Sequence, residues 1–167
     1  MGTKAALTVE EYLQTSFPDL DREYWGGELV ERSVPDDPPS KTQVLVLQFF
    51  GARRKELLLF PRAELRLILG PSLVLIPDVC VFHPAAPVDR FPKTPPLIVV
   101  EILSPDDRQS EVREKLEKYR TWGVPHVWLL DPNSRRTYQC APGLLEVPTL
   151  SVPELGLELA PTDAFDE

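Results

Sequence analysis

The sequence is short of the residues that usually announce a function. It has two cysteines, two histidines and one methionine in 167 residues. Cys80 and Cys140 form no C-x-x-C pair, which removes a disulfide framework and a zinc knuckle. His83 and His126 stand alone, with no second ligand at metal spacing. No apolar run approaches the ~18 residues of a membrane span, and the opening MGTKAALTVEEYL has no signal-peptide core. Gly2 resembles a myristoylation start only loosely, because position 6 is Ala rather than Ser or Thr. The expectation is a cytoplasmic protein with no membrane segment.

Positive charge is also scarce: 18 basic against 26 acidic residues give a net −8. That balance argues against coating nucleic acid by bulk electrostatics. The deficit is uneven. Residues 146–167 carry six acidic side chains and no basic one, leaving a body with 18 basic and 20 acidic. Basic clusters remain at Arg53-Arg54-Lys55, at Arg113, Lys115, Lys118 and Arg120, and at Arg135-Arg136. They read either as solvated faces or as a local phosphate-binding surface.

What is abundant is proline, nineteen in all, placed between apolar runs. This punctuation divides one domain, residues 1–145, into short elements and leaves an acidic, irregular tail at 146–167. Thr8-Val9-Glu10-Glu11 is a capping-box start for a short helix to Leu13. Gly26-Gly27 sets a hairpin turn within Glu23–Glu31. PDDPP at 35–39 breaks the chain, and Ser40 then caps a helix from about Lys41 to Arg54, apolar on most sides. Segments 56–60, 64–69, 73–82 and 97–103 read as strands. Glu111–Trp122 is a helix ended by Gly123 and Pro125. His126–Leu130 and Thr137–Cys140 are further strands. The sum is an α/β fold, a mixed sheet flanked by helices.

Two carboxylates interrupt runs otherwise fit for a sheet interior: Asp78 in LVLIPDVCVF and Glu101 in LIVVEILS. Burying an unpaired carboxylate is costly, so such groups are paired, hydrogen-bonded or metal-bound, or else cap a strand end. On the helix, Val112, Leu116 and Tyr119 form the apolar stripe, and Lys115 lies at its margin. Lys115 is either a snorkelling side chain or a cation reaching back over the sheet. Lys118 and Glu114 point to water.

The order Pro77-Asp78-Val79, Pro96–Pro105 around Glu101, Glu114-Lys115 to Tyr119 and Gly123–Pro132, with Leu7–Leu13 and Gly27–Glu31 ahead of them, resembles the Uma-two (Uma2) family of restriction-endonuclease-like proteins. The likeness spans about residues 7–140. It implies a PD-(D/E)XK core, with Asp78, Glu101 and the Ile102 backbone carbonyl holding Mg²⁺ or Mn²⁺, and Glu28 as a further acidic ligand against a reading as an exposed hairpin residue. It implies that a lysine orients a metal-activated water or stabilises the phosphorane. The family's Glu-x-Lys pattern would put lysine at 103, where this chain has Leu103, so Lys115 takes that role. The histidine that often opens the buried helix is replaced by Ser40-Lys41-Thr42. The implied activity is a metal-dependent DNA endonuclease. The alternative is a non-catalytic nuclease-fold scaffold, and a third reading is another phosphate ester. DNA is the expected partner, together with a homodimer using Trp122, Trp128 and the Pro-rich tail as contact surface.

Overall fold

The computed structural model describes residues 6–167, so Gly2 lies outside the described residues. The first element, α1 (Val9–Leu13), starts as its capping box requires: the Glu11 N–H donates to the Thr8 hydroxyl oxygen at 3.2 Å. β1 (Glu23–Trp25) and β2 (Glu28–Val30) form the hairpin. Gly26 and Gly27 take φ of 58° and 93°, the two positive values a tight primed turn needs.

The buried helix α2 runs Asp37–Ala52 and starts earlier than the proline run suggested. Asp36 is its N-cap, and Pro38 and Pro39 sit in the first turn, where the N–H groups have no intrahelical partner to lose. Ser40 is therefore inside the helix and exposed, not its cap. One face of α2 packs inward through Thr42, Val46, Phe49 and Phe50, while Val44 is half exposed. The expected strand at 56–60 is instead a further helical turn, α3 (Arg54–Leu57), and β3 begins only at Phe60 (Phe60–Ala63).

The 73–82 run is two strands. β5 (Leu73–Leu75) joins β4 (Leu67–Gly70) and the hairpin in a four-stranded sheet, ordered β2-β1-β5-β4. β6 (Val79–Phe82) joins the main sheet with β7 (Ile98–Ile102), β8 (His126–Asp131), β9 (Arg136–Cys140) and β10 (Leu144–Val147). The order of that sheet is β10-β9-β8-β7-β6-β3. Asp78 thus sits at the corner where the chain leaves one sheet for the other. β7 and β8 are parallel and the other pairs antiparallel. A parallel pair needs a crossover, and helix α4 (Gln109–Trp122) supplies it. Gly123, at φ 115°, ends that helix.

β7 is buried on both faces. Ile98, Val100 and Ile102 pack toward α2, while Val99 packs with Leu116 and Tyr119 of α4. Glu101, alternating with its neighbours, belongs to the α4 side. Arg66 ties the N-terminal segment to this frame. Its guanidinium meets both Asp21 oxygens, at 2.7 and 2.9 Å, and donates to the Tyr12 and Thr15 carbonyls at 3.1 and 2.9 Å.

The region 146–167 is not an irregular tail. β10 extends the main sheet; β11 (Leu150–Val152), a 3₁₀ turn (Pro153–Leu155), β12 (Leu157–Leu159) and α5 (Pro161–Phe165) follow. Leu150, Val152, Leu159, Ala164 and Phe165 join the core formed by Val46, Phe49 and Phe50 of α2. Ser151 and Glu158 take the outer positions of these short strands, Glu154 lies in the 3₁₀ turn, and Asp163, Asp166 and Glu167 lie in or after α5. Net charge thus conceals the inward-facing apolar residues. Trp128 is also interior, stacked on Phe50 at 6.2 Å, and so offers no contact surface to a partner. No helix among the described residues is long and apolar enough to cross a membrane.

Because Phe165 is 3% exposed and fills the α2 face, Phe165→Ala is expected to lower the unfolding free energy by about 3 kcal/mol. Urea denaturation of the two proteins measures it; an unchanged midpoint would mean the segment adds nothing to the core.

Candidate active site

The site forms where three strands and one helix converge. Asp78, at the sheet corner, accepts a hydrogen bond at Oδ2 from the Ile102 N–H at 2.7 Å. The Val79–Val100 pairing of β6 with β7 sets that register and brings Asp78 beside Glu101. From α2, the Gln43 amide donates to the Asp78 backbone carbonyl at 3.0 Å. The two carboxylates that interrupt apolar runs are therefore neighbours.

Lys115 reaches them from α4. Its ammonium lies 2.8 Å from Glu101 Oε1 and 2.7 Å from Glu23 Oε2, and donates to the Ile76 carbonyl at 3.0 Å. All three donor positions of the ammonium are spent on these oxygens. Its side chain is 14% exposed, and those of Glu101 and Glu23 are 10% and 6% exposed. Tyr119, read as part of the apolar stripe, is polar at its tip: its hydroxyl donates to Glu101 Oε1 at 3.0 Å.

Glu23 is the residue the sequence reading missed. On the hairpin, Glu23 pairs with Val30 and Trp25 with Glu28. All four side chains therefore share one face, and all four line the same cleft. Glu28 lies on the correct face but at the exposed tip, and has no ion pair among the described residues. Glu23 stands at the inner end and also accepts the Ile76 N–H at 2.7 Å. Strand alternation from Glu28 back to Glu23 was the available signal. Arg32 left no such signal. It follows the hairpin and lies 3.4 Å from Asp78 Oδ1 and 3.1 Å from Glu64.

These groups open into a cleft of about 740 Å³. Its lining includes nine carboxylates and three cationic side chains (Arg32, Arg108 and Lys115), a formal −6. The rim is latched by Ser33, whose hydroxyl donates to Asp107 Oδ1 at 2.6 Å, while Asp107 Oδ2 accepts the Ser104 N–H at 2.8 Å. The basic clusters do not merge into one surface. Arg53 lies over the Phe49 ring, Arg120 pairs with Glu117, Arg135 with Asp166, and Arg136 with Glu146 at 3.2 Å.

Burial dominates the electrostatics. It pushes the Glu101 carboxyl up to about 8, partly offset by Lys115, with Asp78 and Glu23 adding repulsion. Asp78 is raised for the same first reason, with Lys115 opposing. Burial would lower the Lys115 ammonium, but Glu101, Glu23 and Asp78 outweigh it and hold the group charged.

The donor set suits a hard divalent cation. Asp78 and Glu101 present oxygen only, both face the open cleft, and Glu101 Oε2 accepts no hydrogen bond among the described residues. No cluster of three His, Cys, Asp or Glu ligands occurs among those residues. Two carboxylates with water completing the shell is the pattern magnesium uses on phosphate substrates.

A carboxyl raised from 4.5 to about 8 binds its proton more tightly in the folded protein. Its contribution to stability is full below the ordinary value and is lost as pH rises through about 8. The unfolding free energy of chelator-treated protein, from urea denaturation, should therefore fall between pH 5 and 9 by on the order of a few kcal/mol. Glu101→Gln should flatten the fall; a flat wild-type profile would show that Glu101 ionises without penalty.

With this geometry in hand, likeness to known proteins adds a family. No curated protein matches the chain. A solved crystal structure, titled a putative nuclease belonging to DUF820 from Anabaena variabilis, superposes with a TM-score of 0.80 at 24% identity. The match covers 95% of this chain and 97% of that one, so the restriction-endonuclease-like fold is shared over nearly its whole length. The Uma2 family, described as "Putative restriction endonuclease", matches residues 9–166. The chain belongs to the Uma2 family.

Proposed function

We propose that the chain is a divalent-cation-dependent endonuclease that hydrolyses phosphodiester bonds in DNA. The observation that carries the reading is the convergence of Asp78, Glu101 and Lys115 in one open cleft at the edge between two sheets. Asp78 and Glu101, with the Ile102 carbonyl, would hold Mg²⁺ or Mn²⁺. The ion would supply an activated water and offset charge on the scissile phosphate. Lys115, held charged by its carboxylates, would turn one N–H away from its present acceptors to orient that water or stabilise the phosphorane. It stands in for the absent lysine at Leu103, since α4 crosses the face that β7 presents. Tyr119 fixes Glu101 through its hydroxyl, and the Ile102 N–H fixes Asp78. An acidic cleft does not attract DNA by itself, so cation loading precedes substrate binding in this scheme.

The same ion pairs support a second reading. Lys115 on Glu101 and Arg32 on Asp78 already balance the carboxylates. A nuclease-fold scaffold without cleavage would keep them so. The open cleft favours the enzyme, because there is room beside both carboxylates. Hydrolysis of another phosphate ester fits the same groups.

Calorimetric titration of Mg²⁺ and Mn²⁺, paired with a plasmid-nicking assay, separates these readings. Asp78→Asn and Glu101→Gln are expected to weaken ion binding and to lower nicking at least about a hundredfold. Lys115→Met should lose nicking while still taking up ion. Ion uptake with no nicking by the wild type supports the scaffold, and no uptake at all makes the carboxylates structural.

Cutting duplex DNA calls for one site per strand, so the reading extends to a homodimer. Sedimentation at high protein concentration is expected to show a two-chain species; a single monomeric boundary removes this part.

A further inference from the structure

Beside the cleft, on the far side of a shared wall, lies a second, smaller pocket of about 160 Å³. Leu103, Val112 and Leu129 line both cavities. The small pocket is completed by Gln109 and Arg113 from α4, Tyr138 from β9 and Leu144 from β10, with Asp131 at one end. The wall is apolar and one side is aromatic. Gln109 and Arg113 stand one turn apart on the exposed side of α4, and among the described residues neither has a hydrogen bond or ion pair. The Tyr138 hydroxyl is likewise without a partner there. Asp131, by contrast, is committed to its turn, accepting from the Asn133 N–H at 3.0 Å and the Ser134 hydroxyl at 2.7 Å.

The geometry points to a nucleobase-binding pocket: it receives an unstacked base of the DNA strand being cut, next to the phosphate held at Asp78 and Glu101. This assignment rests on the nuclease reading and names the form of its substrate. The volume corresponds to about five waters, well below the few hundred Å³ of a cofactor site. It suits one ring system. A base has two apolar faces and a polar edge. Tyr138, beside Leu129 on the β8–β9 pair, would form a platform under one face with Leu103 and Val112 at its side, while the Gln109 amide and Arg113 guanidinium would meet the edge. Stacking on an aromatic side chain tolerates any base, in keeping with a sequence that carries no base-reading motif. A base can enter only from single-stranded or locally opened DNA, because pairing and stacking hide its faces in a duplex.

The test is anisotropy of a labelled eight-nucleotide single strand, with Ca²⁺ supplied in place of Mg²⁺, against the same strand made abasic throughout. Wild type is expected to bind the intact strand about tenfold or more tightly than the abasic one. Tyr138→Ala and Arg113→Ala should weaken the intact strand by a similar factor and leave the abasic strand unchanged, with Tyr138→Phe retaining binding. Arg113 is exposed, so its variant reports on the pocket without disturbing the fold. Equal affinity of the wild type for both strands overturns the pocket while leaving the nuclease reading intact, as does an equal loss on both strands in Tyr138→Ala. Failure of the wild type to bind either strand also overturns the pocket, whereas the nuclease reading is overturned only by loss of plasmid nicking.

Discussion

One ammonium group holds the site together. Lys115 sits among Glu23 and Glu101, both buried, and Asp78, which keeps a side to the cleft; it is their main compensating charge, with Arg32 adding to it at Asp78. Removing one partner of a buried ion pair costs about 3–5 kcal/mol, because the remaining charge is stranded. The elements that meet at this point are therefore constrained together. The hairpin must bring Glu23 inward, β7 must register against β6, and α4 must cross at the height that lets Lys115 reach. The Arg66 clamp serves the first of these demands, since it fixes the segment leading into β1. The Ile102–Asp78 hydrogen bond serves the second.

That arrangement explains how the chain can lack a lysine at 103. A parallel β7–β8 pair obliges a helix to pass over one face of the sheet, and Glu101 points to that face. Any helical position one turn or so from the apolar stripe can then supply the cation. Lys115 does so from the margin between Val112 and Tyr119. On the proposed nuclease reading, the cation comes from the helix rather than from strand position 103.

Much of this was legible in the sequence, and the failures have physical causes. Asp78 and Glu101 stood out because charge inside an apolar run is expensive, and α4 was readable from its period and from Gly123. Glu23 went unread because alternation gives a face and not a depth. Glu23 and Glu28 share that face, and only the packing against Ile76 tells the inner from the outer. Pro38 and Pro39 read as a break because their composition is that of a turn, although a first helical turn accepts them equally. The C-terminal region was misjudged on charge. Only Glu158 lies between inward-facing leucines, Leu157 and Leu159, while Ser151 separates Leu150 from Val152. Two-residue periodicity over three-residue strands is too short to see against six carboxylates.

Helix α2 carries a consequence of its own. One of its side chains, Gln43, grips the peptide oxygen of Asp78, while Phe49 and Phe50 further along pack with the last strands and α5. The helix is thus a rigid spar with the Asp78 corner at one end and the chain's final residues against the other. A partner or protease that loosened α5 would act on the same bar that positions Asp78. The C-terminal segment, far from the cleft in sequence, is mechanically its neighbour.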